Sequence, residues 1–266
     1  IMDYYDLIIV GAGPACSTLA HALQDSGKRI LVIDKQDFPR DKTCAGWVTP
    51  AVMDSLDIDV NHYSAGRTLQ PIRRFRIGMM GQSAVENDHG EIVSYGIRRC
   101  EFDAFLLERT TVPKQLNTPV KSIVRREGNW VVNDTWEAPL IVGAGGHFCP
   151  VAKLMGDGPG SHEVVVAAKE VEFEMTPQQA EVCEARGDTP ELWFCRDLKG
   201  YAWVFRKGNF LNIGLGREDN HKLTEHLNAF VEEMKSEGRI PADLPGKFKG
   251  HAYLLYAHAE RPLADD

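Results

Sequence analysis

The sequence predicts an α/β chain in two parts, one built on a parallel sheet and the other on an antiparallel sheet. Three observations predict it. The chain opens with a strand, a glycine turn and a helix. A second buried strand follows and ends in an acid 23 positions after Gly11. Beyond residue 160, apolar and charged residues alternate in long runs.

The opening reads Tyr5-Asp6-Leu7-Ile8-Ile9-Val10-Gly11-Ala12-Gly13-Pro14-Ala15-Cys16. Its branched apolar run is the pattern of a parallel strand buried on both faces. After Gly11 the apolar spacing becomes helical, through Ala15, Leu19, Ala22 and Leu23. A strand that turns through glycines into a helix offers free backbone N–H groups and the positive end of the helix dipole, which together seat a phosphate. The second strand, Arg29-Ile30-Leu31-Val32-Ile33-Asp34, places Asp34 where a dinucleotide fold puts the acid that meets a ribose. Cys16 stands where the fingerprint has its third glycine, a position that serves helix–strand packing rather than phosphate contact.

With 266 residues the chain is long enough for about two domains. A net charge of -8 argues against nucleic acid as a partner, because phosphate backbones need clustered Lys and Arg. Most pairs such as Arg73-Arg74, Arg98-Arg99 and Arg125-Arg126 are expected to be solvated. The six cysteines are scattered without Cys-x-x-Cys spacing, so neither a metal site nor a disulfide framework is expected and a reducing cytoplasm is the expected location. Asp3 and Asp6 precede the first apolar stretch, unlike a signal peptide, and no apolar run reaches the roughly 18 residues of a membrane span.

Taken in order, residues 35–47 form an irregular loop, basic at Arg40 and Lys42, that can reach back to a ligand or serve as a surface connector. Strands are expected at 72–80 and 92–97, a helix at 101–111, and a hairpin from strands 120–126 and 130–133. Residues 139–146 give another buried strand ending in glycines. The antiparallel part follows at 163–175, 191–195, 200–205 and 210–216, with residues 206–209 as a four-residue hairpin connection. A helix over 222–236 carries the stripe Leu223, Leu227, Phe230, Val231 and Met234, and Gly238 ends it.

Five ordered motifs resemble one family. They are Gly11-x-Gly13-Pro14-Ala15 with Asp34; Phe38-Pro39-Arg40-x-Lys42-x-Cys44-x-Gly46; Arg99-x-x-Phe102-Asp103; Val142-Gly143-Ala144-Gly145-Gly146; and Tyr201-x-Trp203-x-Phe205. Along nearly its whole length the chain resembles the geranylgeranyl-reductase-like FAD-dependent oxidoreductases, which share the p-hydroxybenzoate hydroxylase fold. The resemblance implies a Rossmann-like FAD-binding domain from residues 1–65 and 91–160, and an antiparallel-sheet substrate domain from 66–90 and 161–252. Residues 253–266 would begin the return to the first domain. In the family a Gly-Asp motif and a further helix follow, so the C-terminal part of the fold is expected to be missing from a sequence that ends at Asp266.

For the site, the resemblance implies cofactor contacts at Gly11, Gly13, Pro14, Ala15, Asp34, Lys35, Arg40, Lys42, Cys44, Ala45, Arg99, Gly143 and Gly145. Trp47, Tyr201, Trp203 and Phe205 would wall an apolar, prenyl-type substrate, and Cys44 is a candidate for a redox or proton-donor role. The implied reaction is hydride transfer from reduced flavin to a carbon–carbon double bond, with NAD(P)H a candidate electron donor and peripheral membrane contact open. Gly145 replaces the aspartate of the hydroxylases, which argues against their mode of NADPH use. Two alternatives stay open: halogenation or monooxygenation on the same fold, and a non-catalytic remnant that binds a nucleotide or apolar ligand. Arg206 stands where both the reductase and halogenase motifs have proline.

Overall fold

The computed structural model describes residues 2–156 and 164–255. They divide into two compact units, residues 2–41 with 100–156, and residues 42–99 with 164–255. The expected domain boundaries lay at 65/66 and 90/91. The units instead part at 41/42 and 99/100, because Trp47–Val48 and Leu69–Ile72 both pair with Ser94–Ile97 in a three-stranded sheet. Glu163, residues 157–160 and residues 256–266 of the expected return segment lie outside the described residues.

The first unit is a parallel sheet in the order Leu140–Gly143, Leu7–Val10, Ile30–Ile33, Lys114–Gln115. Leu7–Val10 and Ile30–Ile33 are buried at every position, as their unbroken apolar runs require. The helix Pro14–Leu23 packs Cys16 and Ala20 on one face of the sheet. Cys16 is fully buried there, and burial pushes its thiol up to about 12, with Asp34 adding to the rise. A second sheet, in the order Asp3–Tyr4, Trp136–Ala138, Asn129–Val132, Ile123–Arg126, includes the expected hairpin and covers the other face through Val132 and Ala138.

The second unit is dominated by a seven-stranded sheet. Its order is Lys249–Leu255, Val164–Glu174, Phe210–Arg217, Gly200–Lys207, Glu191–Phe194, Arg74–Met79, Val85–Asp88. Six neighbours cannot all be antiparallel as expected, since Glu191–Phe194 runs parallel to Arg74–Met79. The single strand expected at 72–80 is also corrected. Arg73 and Arg74 both donate their N–H groups to the Asp188 carbonyl, and the chain passes there from the three-stranded to the seven-stranded sheet. Period two persists across such a transfer, so the pattern did not reveal it.

The hairpin connection is shorter than expected as well. The strand runs on through Arg206 and Lys207, which pair with Leu211 and Phe210, leaving Gly208-Asn209 as a two-residue turn. Lys207 reads as a turn residue by charge, but its ammonium is buried against the carboxylate of Glu172. The helix Leu223–Ser236 lays its expected stripe on Leu211, Ile213, Leu215, Ala202 and Val204, one face of the sheet. Short helices at Pro50–Ser55, Pro150–Leu154 and Pro177–Val182 went unpredicted; each starts with a proline preset for the first turn. Among the described residues no helix is long and apolar enough to cross a membrane.

Because Phe230 is fully buried at the centre of that stripe, Phe230→Ala is expected to lower unfolding stability by about 3–5 kcal/mol. Urea denaturation of both chains checks it, and a change below about 1 kcal/mol would contradict this packing.

Candidate functional site

In the first unit the glycine turn is held by what surrounds it. Gly11 has a φ of 104°, and a Cβ there would fall on the Ala144 carbonyl oxygen. Only glycine therefore lets Leu7–Val10 turn so close to the end of Leu140–Gly143. The Gly11 N–H donates to the Ile33 carbonyl (2.8 Å), and the Ala144 N–H to the Val10 carbonyl (2.7 Å). Asp34 accepts the Ala12 N–H at Oδ2 (2.7 Å) and the Gln36 N–H at Oδ1 (2.8 Å), so the acid braces the turn.

Gly13 is the N-cap and brings no side-chain cap, while Pro14 opens the helix without an N–H. The first-turn amides thus lack the partner that a Ser or Asp cap would supply. Arg40 brings a guanidinium to Gly13 at this helix start, its charge shared with Asp103. Its guanidinium lies 4.7 Å above the Phe38 ring, 3.2 Å from the fully buried Asp103 Oδ2, and 3.5 Å from where a Gly13 Cβ would be. Its buried Nη1 makes no hydrogen bond. A cation beside a helix N-terminus is repelled by the dipole, and an anion placed there would be drawn by both. The residues present therefore fit a pyrophosphate.

The other expected cofactor positions separate. Lys35 is exposed, and Gly143 and Gly145 are exposed at the end of their strand, all in the first unit. Lys42, Cys44, Ala45 and Arg99 are half-buried and belong to the second unit, Arg99 opening the helix Arg99–Glu108.

The second unit collects the aromatic residues. On the sheet face opposite the helix Leu223–Ser236, register aligns Leu192 with Trp203, Phe194 with Tyr201, Trp203 with Gly214 and Tyr201 with Gly216. Tyr201 lies 5.9 Å from Trp203 and 6.4 Å from Phe194, ring centre to ring centre. Trp47 meets Phe205 edge-on at 6.0 Å and Phe75 at 5.2 Å. Tyr201 and Trp47 are open, 40% and 44% exposed, whereas Trp203 and Phe205 are buried with Ala168 and flanked by Ala45, Leu192 and Tyr253. Trp203 Nε1 donates to Asn212 Oδ1 (2.7 Å), and its ring fills the space a Gly214 Cβ would need. The result is a set of fixed aromatic rings in which Trp203 fills the space above Gly214.

Four polar residues on this face were not singled out in the sequence: Glu170, Glu172, Lys207 and Asn212. Glu172 receives Lys207 Nζ, Asn212 Nδ2 and Arg98 Nε, and Arg98 also stacks 3.7 Å above Phe210. Arg98 is therefore not the solvated residue its charge pair suggested. A signal was available, since Glu170 and Glu172 share one side of a strand and Asn212 interrupts an apolar run at the same period.

Comparison with known proteins bears on the fold. Residues 9–56 match the NAD(P)-binding Rossmann-like domain. A geranylgeranyl bacteriochlorophyll reductase-like protein of Thermoplasma acidophilum superposes with a TM-score of 0.72 at 19% identity, covering 96% of this chain and 66% of that one. Halogenase PltM, in complex with phloroglucinol and FAD, superposes with a TM-score of 0.71 at 15% identity, covering 94% and 60%. The fold is thus that of the FAD-dependent oxidoreductases. Within it, the chain is similar to the digeranylgeranylglycerophospholipid reductase of Methanococcus vannielii, 29% identical over 267 residues, covering 93% of this chain and 64% of that protein. The resemblance to the geranylgeranyl-reductase-like family holds along nearly the whole chain. The chain spans less than two-thirds of the length of that curated relative.

Gly214→Ala should displace the Trp203 indole from its place over the strand and break its bond to Asn212. A red-shifted tryptophan emission with retained circular dichroism is the expected result, and an unchanged spectrum would speak against this packing.

Proposed function

We propose that the protein of which this chain is part is an FAD-dependent reductase acting on carbon–carbon double bonds of a prenyl-type, apolar substrate. The observation that carries the reading is the aromatic face of the second unit, where the exposed Tyr201 and Trp47 flank the buried Trp203 and Phe205. Rigid aromatic rings offer apolar area at little entropic cost, which suits a long hydrocarbon chain. In this reading the first unit is the FAD-binding domain and the second the substrate domain.

Gly11, Gly13, Pro14 and Ala15 would seat the pyrophosphate at the helix start, with Arg40 neutralising it and Asp34 meeting the adenosine ribose. Asp34 can do so while bracing the turn, because each carboxylate oxygen has a second lone pair to offer. Lys35, Gly143 and Gly145 remain assigned by the resemblance, as do Lys42, Cys44, Ala45 and Arg99 on the flavin side. Bound FAD, once reduced, supplies the hydride that goes to one alkene carbon while a proton goes to the other. The protein's part is to orient the alkene on the Trp47, Tyr201, Trp203 and Phe205 wall and to exclude water. NAD(P)H is the proposed donor class.

Halogenation or monooxygenation is the second reading, favoured by the nearly equal superposition on PltM. Arg206, in the place of the motif proline, donates Nη1 to the carbonyls of Cys183 (3.1 Å) and Ala185 (3.3 Å), so it ties down the neighbouring segment instead.

Two measurements test the proposal. Added FAD should give the chain a bound-flavin spectrum, and Arg40→Ala should weaken binding about 10- to 100-fold by loss of a charge-assisted contact. With reduced flavin, a geranylgeranylated lipid should gain two hydrogens per double bond by mass spectrometry. A halogenated or oxygenated product, formed with oxygen and halide in place of alkene reduction, would reject the reductase reading.

A further inference from the structure

The turn that carries Cys44 is gripped on both sides of its peptide by side chains from the sheet. The Cys44 N–H donates to Glu170 Oε1 (2.5 Å), Asn212 Nδ2 donates to the Cys44 carbonyl (3.3 Å), and Lys207 Nζ donates to the carbonyls of Ala45 (2.9 Å) and Ile97 (3.0 Å). These side chains come from three adjacent strands, Val164–Glu174, Phe210–Arg217 and Gly200–Lys207. They are costly to bury. Glu170 is 6% exposed, Asn212 fully buried and Lys207 1% exposed. The ammonium of Lys207 is balanced by Glu172, which leaves Glu170 without an ion pair among the described residues. A carboxyl buried without a cation has to be compensated by hydrogen bonds, and the one it receives from the backbone is that of Cys44.

We infer that Glu170 is a positioning residue, fixing through the Cys44 peptide where the Cys44 thiol stands in the turn whose Ala45 packs on Trp203 and Phe205. The inference deepens the proposed function, since it rests on reading this face as the substrate face. The hydrogen bond from the Cys44 N–H is charge-assisted when Glu170 is ionised and weaker when it is neutral. Burial pushes the Glu170 carboxyl up to about 7; the Cys44 N–H opposes the rise, Glu172 adds to it, and Lys207 and Asn212 oppose it. Lys249 is its cross-strand partner from the edge strand. The turn is therefore held tightly above neutral pH and loosened below it.

The test is the rate at which N-ethylmaleimide modifies Cys44, followed on its own peptide by mass spectrometry from pH 5.5 to 8.5. Neither flavin nor substrate is needed, so a chain that failed to bind FAD would still answer it, and a negative answer would leave the proposed reaction standing. Glu170→Gln keeps an acceptor for the N–H but removes the charge. It should react like the wild type below pH 6 and at least about threefold faster above pH 8, where the ionised carboxylate restrains the turn. A ratio of the two rates that stays constant across the range would refute the inference. Should the variant fail to fold, the wild-type profile decides alone. It must show a break near pH 7 in addition to the thiol's own ionisation, and a single ionisation curve would refute the inference equally.

Discussion

The first unit depends on the close approach between the Gly11 turn and the Ala144 peptide. Two parallel strands end there side by side, and the Ala144 carbonyl oxygen occupies the space of a Cβ on Gly11. Because the turn can be that tight, the helix Pro14–Leu23 starts directly over the strand ends, with Cys16 and Ala20 small enough to sit on them. The same tightness puts Ala12 within reach of Asp34 and leaves Gly13, without a cap, beside Arg40. The uncapped helix start follows from that one steric allowance.

In the second unit the organising constraint is register. On the strand Phe210–Arg217, Leu211, Ile213 and Leu215 go to the helix, while Asn212, Gly214 and Gly216 go to the opposite face. A slip of one residue would exchange the core side chains for those of the opposite face, so the packing of Leu223–Ser236 fixes the aromatic face as firmly as it fixes the core. Trp203 is held by both of its means of contact, its ring lying over Gly214 and its N–H bonded to Asn212.

The buried charges are arranged to make contacts with the backbone rather than to add stability. A buried ion pair gains little against its desolvation cost. Lys207 with Glu172, and Arg40 with Asp103, each leave polar hydrogens pointed at main-chain groups or at the helix start. Loops such as residues 42–46 carry no ladder of their own, and charged side chains from the sheet supply the missing bonds.

The sequence by itself determined the parallel sheet, the glycine turn, the place of Asp34 at the end of the second strand and the apolar stripe of Leu223–Ser236, since each rests on local spacing. It also carried the aromatic motif from Tyr201 to Phe205, because period two on one strand puts those rings on one face. It did not determine the sheet transfer at Arg73, which depends on a carbonyl 115 positions away, at Asp188. Nor could it find the buried Lys207, which looks like a turn residue until the strand is seen to continue. The acids Glu170 and Glu172, with Asn212, acquire meaning only when two adjacent strands align them on the Cys44 peptide and on Lys207. The physical reason is the same in each case. Local propensity and periodicity act over a few residues, whereas the partner of a buried charge is chosen by strand order and register.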